Sequence, residues 1–183
     1  MEQRIWFQRR FDLGLAPEVF PELLERIRGT PARLEEWVEK VPPDALTRRR
    51  ADDAWSVQEH IGHFGDLEPL WAGRLEELLA GSADLRPADM ENRATHEAEH
   101  NAAGIDGLLR RFRDAREAIV HRLEGLGDED LLRTAQHPRL QQPMTVVDLF
   151  FFVAEHDDHH LATISALVRG AGPTSTTEEP THG

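Results

Sequence analysis

An all-α fold, a bundle of four helices, is what this sequence predicts. Three observations lead there. Four segments repeat their apolar residues at alternating spacings of three and four, the period of a helix that turns one face to a core. Each stretch runs for about 20–25 residues, longer than a strand would. No series of segments alternates polar and apolar residues in the manner of strands, and no internal repeat is present. Amphipathic helices without a sheet to cover can bury their stripes only against one another.

Residues 1–16 form a mixed lead-in in which Trp6, Phe7 and Phe11 are expected to pack onto the body. The first helix carries Phe20, Leu24, Ile27, Pro31, Leu34, Val38 and Val41 on one stripe, which runs straight through Gly29-Thr30-Pro31. Pro31 removes a backbone donor, so a kink with the register kept is expected. Pro42-Pro43-Asp44 ends the helix, and a polar connection leads to Ser56, an N-cap that Glu59 completes as a capping box. The second helix runs to about Ala80, with Val57, Ile61, Phe64, Trp71, Leu75 and Leu78 on its stripe and a bend at Pro69. A third, from Ile105 to about Gly125, buries Leu108, Phe112, Ala115, Ile119 and Leu123, and its Arg110, Arg111, Arg113 and Arg116 read as a solvated face. The fourth starts at about Thr145, a second N-cap, and ends near Arg169-Gly170.

Two long connections, 81–104 and 126–144, lack clear periodicity; the first is long enough to be functional or locally helical. One domain over 1–172 is expected, with 173–183 as a disordered tail that has nothing to bury.

The chain has 183 residues, enough for one real core, and a net charge of −13, which argues against nucleic acid as a partner. It has no cysteine, so disulfides, thiolate metal sites and a cysteine nucleophile are excluded together. The N-terminal Met1-Glu2-Gln3-Arg4-Ile5-Trp6-Phe7 is too mixed for a signal peptide, and no apolar run reaches the length of a membrane span. A soluble cytoplasmic protein, without membrane or nucleic-acid partners, is the expectation.

The chemistry concentrates in the fourth helix. Its stripe reads Leu149, Val153, His156, His160, Ile164 and Leu167, so two histidines stand one turn apart where core residues are expected. With His63 of the second helix they make a candidate three-histidine metal set, since bundle metal sites are built in the core from facing helices. Three neutral imidazoles leave coordination positions open, as a catalytic site does. They suit zinc, nickel, iron or copper. Glu59, Glu155 and Asp157 are near enough in sequence to orient the rings.

The run His96-Glu97-Ala98-Glu99-His100 formally matches H-E-x-x-H, the zinc-protease helix. Glu99 puts a charge where such a helix packs, Ala103 and Asp106 depart from the extended pattern, and there is no sheet edge for a peptide. A polar surface segment, or one whose His96 or His100 lines the mouth of the metal site, is the better reading. His60, three residues before His63, is a less favoured alternative ligand; His159 faces a carboxylate or solvent in preference to an ion; and His137, before a proline in a connection, is within reach of the site but reads better as structural. A di-iron site is not expected, because only Glu97 and His100 form a Glu-x-x-His pair.

Trp55-Ser56-x-x-Glu59-x-x-x-His63, followed far downstream by Glu155-His156-x-x-x-His160 with His159 beside it, resembles the DinB-like superfamily. The resemblance covers the chain from the Phe20 helix through Arg169. It implies a four-helix bundle of up-down-down-up connectivity and a metal site on His63, His156 and His160, with no departure at those positions. The metal implied is a divalent transition ion, zinc or nickel first and iron after them. Branches of the family include S-transferases and isomerases that use mycothiol, bacillithiol or glutathione, and others described as metal-dependent hydrolases. A small-molecule substrate is therefore expected, with a low-molecular-weight thiol as cosubstrate if the chemistry is transfer. Glu59 and Asp157 would hold rings or take a proton. The alternative from another class is a non-catalytic metal- or ligand-binding bundle. A homodimer paired through a helix face bearing Trp37 is also expected.

Overall fold

Four helical rods pack against one another in the computed structural model, which describes residues 5–52 and 54–170. The tail 173–183 lies outside the described residues. The first rod is α1 (Phe20–Arg28) followed by α2 (Thr30–Val38); a short α3 (Pro43–Leu46) leads to the second rod, α4 (Val57–Leu79). After α5 (Arg93–Glu97) comes the third rod, α6 (Ile105–Glu124), then α7 (Asp128–Leu131), strands β1 (Thr134–His137) and β2 (Gln142–Thr145), and the fourth rod, α8 (Val146–Gly170). The first rod packs on α6 and α8, and so does α4. No helix of the described residues is long and apolar enough to cross a membrane.

The rods begin where the caps place them. The Ser56 hydroxyl accepts the Glu59 N–H at 3.1 Å while the Glu59 carboxylate accepts the Ser56 N–H at 2.8 Å. Thr145 and Asp148 repeat the arrangement at the head of α8, both bonds at 3.0 Å. In the first rod the expected kink is a one-residue interruption. Gly29 separates α1 from α2, and Pro31 stands in the first turn of α2, where a missing N–H is tolerated. The stripe keeps its register, since Ile27 and Leu34 on either side are both fully buried.

Each rod crosses the same polar layer. Two apolar clusters fill the bundle, one around Leu23, Ile27, Trp71, Ile119 and Val153, the other around Leu34, Phe64, Phe112, Leu161 and Ile164. Between them lie Thr30, Glu68, Arg116 and Asp157, all buried, one from each rod. The first rod and α8 pass from the first cluster to the second; α4 and α6 pass from the second to the first. Arg116 departs from the solvated face that the arginine-rich segment predicts, because it is buried. It is 1% exposed, donates to Glu68 at 2.7 Å and to Asp157 at 2.5 Å, and gives a further hydrogen bond to the Ile27 carbonyl at 3.2 Å. That carbonyl is the one Pro31 cannot serve, so the arginine replaces the donor the proline removed.

The connections also depart from expectation. No strand was predicted, yet β1 and β2 form an antiparallel hairpin in register Thr134↔Thr145 to His137↔Gln142. The 81–104 connection joins its edge, with Gln136 N–H donating to Ala83 at 2.8 Å and Leu85 N–H to Gln136 at 3.0 Å. His96 ends up near the C-terminus of α5, and Glu99 adopts a left-handed φ of 47° before His100 opens a 3-10 turn. The H-E-x-x-H run is therefore not one helix and cannot present both histidines on one face. Trp37, the expected pairing residue, is half-buried, with Lys40 and Arg169 over its ring.

Candidate metal centre

His63 on α4 and His156 and His160 on α8 meet in the core, and a nitrogen from each lies within 4.8 Å of the others. All three are nearly buried, at 3%, 6% and 8% exposure. The rods bring them together because α4 and α8 are neighbours that cross the clusters in opposite senses, and the turn from His156 to His160 faces the turn that holds His63. The Nε2 atoms of His156 and His160 are 3.1 Å apart, close to the roughly 3.3 Å between two nitrogens that share a tetrahedral zinc.

Burial, and after it the crowding of rings on rings, hold the imidazoles of His60, His63, His156 and His160 neutral. His63 is pushed down to about 3 and His60 to about 4, and His156 and His160 fall well below the usual histidine range. Neutral rings are what a metal requires of its histidine ligands. His156 also keeps a buried nitrogen, Nδ1, with no hydrogen-bond partner. The three residues fit a divalent transition metal.

The rings are oriented by groups that sequence reasoning missed. His63 Nδ1 lies 2.9 Å from the Thr95 hydroxyl, which donates to Asp66 at 2.9 Å. Because that hydroxyl spends its proton on the carboxylate, it accepts from Nδ1–H, and His63 is left with its Nε2 lone pair for an ion. Asp66 also meets His100 Nε2 at 2.7 Å and Arg111 at 2.9 Å. Burial works against its charge, but His100 and Thr95, with Arg111, hold its carboxyl below the usual carboxylate range. Gly62 makes room for this, since a Cβ there would run into the His100 ring. On the other side, His60 Nδ1 lies 2.9 Å from His160 Nδ1, so His60 is a partner of the triad and no member of it is displaced by it. Asp66 stands three residues after His63 on the same helix face, which was the available signal; Thr95, in an aperiodic connection, offered none.

The other predicted residues are placed as follows. Glu59 is bound by the Ser56 N–H and by Arg49; against the cost of burial, these hold its carboxyl down at about 2. Asp157 accepts from Thr30 at 2.7 Å and from Arg116. Glu155 pairs with Arg9 and Arg26. None of the three hydrogen-bonds a ring of the triad among the described residues. His100 is buried on Asp66, and His96 is exposed beside Trp55, their ring centroids 5.6 Å apart.

A cavity of about 490 Å³ opens above the triad. Trp55 lies 4.7 Å from the His63 ring, Trp6 5.1 Å and Trp71 5.8 Å from that of His156, so three indoles stand beside the histidines and line the cavity. Such apolar neighbours lower the local dielectric and strengthen whatever charge sits beside them.

Known proteins share this fold. YfiT of Bacillus subtilis (strain 168) is 22% identical over 160 residues, 87% of this chain and 89% of its own. Its solved structure, described as a probable metal-dependent hydrolase with an unusual four-helix bundle topology, matches with a TM-score of 0.79 over 91% of this chain and 95% of that one. The colibactin self-resistance protein ClbS, solved in complex with a dsDNA, matches at 0.64 with 15% identity, covering 85% and 98%. A DinB-like protein of Bacillus subtilis, YjoA, matches at 0.55 with 20% identity, covering 84% and 94%. Residues 26–164 fit the model of the DinB superfamily, and the chain belongs to that superfamily.

Proposed function

We propose that this protein is a metal-dependent hydrolase of a small-molecule substrate, with zinc or nickel held by His63, His156 and His160. The observation that carries the reading is the convergence of three buried, neutral imidazoles at the floor of an indole-walled cavity. A divalent ion held there would supply Lewis acidity for a carbonyl and a lowered pKa for water. The protein's part is positional. Thr95 and Asp66 hold the His63 ring, His60 holds His160, and the indoles give the cavity apolar walls. Glu59 and Asp157 act at one remove, Glu59 by starting α4 in register and Asp157 by fixing α8 through Arg116. We read the connectivity as up-down-down-up, supported by the senses in which the rods cross the two clusters.

The name of YfiT favours hydrolysis over thiol transfer, for which the relatives found offer no support. The charge of −13 favours a small molecule over nucleic acid, although ClbS shows that this fold can occur in a protein solved with dsDNA.

The test begins with elemental analysis of purified protein, wild type beside His160→Ala. One equivalent of transition metal in the wild type and none in the variant is expected. At a hundredfold excess of zinc over Kd, binding adds about 2.7 kcal/mol, or roughly 5–10 °C in Tm for a domain of this size, and the variant should show no gain. Absence of metal from both, even after incubation with zinc or nickel, would end the reading. Turnover of an ester and amide panel in plain buffer then selects hydrolysis; turnover only with added thiol would overturn it in favour of transfer.

A further inference from the structure

The cavity has a second polar end. Arg74 from α4, His137 from β1 and Arg139 from the hairpin turn line it. Arg74 is 1% exposed, as buried as Arg116. Arg116 is matched by two carboxylates, whereas Arg74 hydrogen-bonds none among the described residues. Its Nε and Nη2 donate to the Arg86 carbonyl at 3.0 and 2.9 Å, and its Nη1 faces His137 Nε2 at 3.1 Å. A guanidinium has five N–H groups, and the Arg86 carbonyl takes two of them. Arg139 Nη2 is buried with no hydrogen-bond partner, and its guanidinium lies over the rings of Phe7 and Phe152.

His137 adds a conflict. Its Nδ1 accepts the backbone N–H groups of Leu140 at 3.1 Å and Arg139 at 3.3 Å, while its Nε2 faces the Arg74 donor. A neutral imidazole has one lone pair, so an Nδ1 that accepts puts an Nε2–H against an N–H of Arg74. Donor facing donor is relieved by an acceptor that takes both. Burial already weighs on these cations, lowering Arg74 to about 10 and Arg139 below its ordinary range. The chain has 34 acidic residues against 21 lysines and arginines, so carboxylates were not lacking for these two sites.

We propose that this end of the cavity is a carboxylate-binding subsite, in which an anionic group of the substrate accepts hydrogen bonds from Arg139 Nη2, Arg74 and His137 Nε2–H. The inference rests on the reading of the cavity as the substrate site and names its substrate class: a small ester or amide bearing a carboxylate. One indole separates the two ends, since the Trp71 ring lies 5.8 Å from that of His156 and 5.6 Å from Arg74 Cζ. The walls between are apolar, with Leu67, Leu70 and Phe152 beside Trp71. That combination suits a planar monoanion on a hydrophobic stem better than a heavily hydrated phosphate.

Three of the four tryptophans line the cavity, so their fluorescence reports occupancy. Phenylacetate, its neutral analogue phenylacetamide and inorganic phosphate are titrated into zinc-loaded and chelator-treated protein. Phenylacetate should bind at least tenfold tighter than the amide in both forms, and phosphate should compete weakly. Arg139→Gln should abolish the preference with Tm unchanged, and Arg139→Lys should keep part of it. Equal binding of acid and amide overturns the proposal. So does a preference that disappears with zinc and ignores Arg139→Gln, which would place the carboxylate on the metal. Phosphate competing as strongly as phenylacetate would overturn the carboxylate assignment. If the metal reading fails, binding to chelator-treated protein persists; if the subsite fails, the metal content is untouched.

Discussion

Thr95 is the residue through which the charge of Asp66 reaches His63, because its hydroxyl sits between them at 2.9 Å from each. Thr95→Val keeps the shape and deletes the hydroxyl, leaving His63 Nδ1–H and one carboxylate oxygen without that link. Zinc affinity should fall about 10- to 100-fold, the usual cost of losing a partner behind a ligand, with little change in the melting of the metal-free protein. Competition against a zinc-responsive dye measures it; an unchanged affinity would remove Thr95 from the site. The triad itself was legible in the sequence because His156 and His160 occupy stripe positions, and a polar residue there needs a reason. Asp66 left only its spacing from His63 as a signal and Thr95 left none, since only folding puts a hydroxyl from residue 95 against a helix about thirty residues earlier. The cluster of Arg74, His137 and Arg139 was hidden for the same reason: a buried arginine and a surface arginine look alike in one dimension.

At the level of the helices, the polar layer ties all four rods together through one guanidinium. Removing Arg116 alone leaves Glu68 and Asp157 buried without their cation, where burial already raises Glu68. Arg116→Met should cost about 3–5 kcal/mol, measured by urea unfolding. Replacing Arg116, Glu68 and Asp157 together by apolar residues of similar size should cost less than the single change, since no orphaned charge remains. If the triple variant is the less stable of the two, the layer does more than neutralise itself. The signal for this layer was present: Phe112, Arg116 and Ile119, like Phe64, Glu68 and Trp71, keep the spacing of the stripe. Four arginines within seven residues drew the reading to the surface instead. The hairpin was illegible on firmer grounds. Its strands are four residues each, Pro143 interrupts one, and their stability comes from burying Ala135 and Met144 in the body.

For the molecule as a whole, the depressed histidines dictate a pH response. His63 titrates at about 3 and His60 and His137 at about 4 in the fold, against 6.5 in the unfolded chain. As pH falls below about 6.5 the unfolded state takes up protons that the folded state refuses, so stability drops. Each of these histidines should remove about 2 kcal/mol by pH 5 from the metal-free protein. Melts in chelator at pH 7.5, 6 and 5, in 0.15 M salt to screen the acidic surface over about 8 Å, should show Tm falling steadily. A flat profile would mean that the rings open to solvent before they titrate.

The ligands of the triad ride on rods, while much of the wall above them comes from two connections, Pro87 to Asn92 and His137 to Arg139. Those connections are stitched to each other through Gln136 and owe the polar layer nothing. Chemistry and selectivity are thus carried by separable pieces of chain. A descendant could exchange these two covering segments, and with them the molecules it admits, so long as Thr95 just beyond the first kept its hydroxyl on His63.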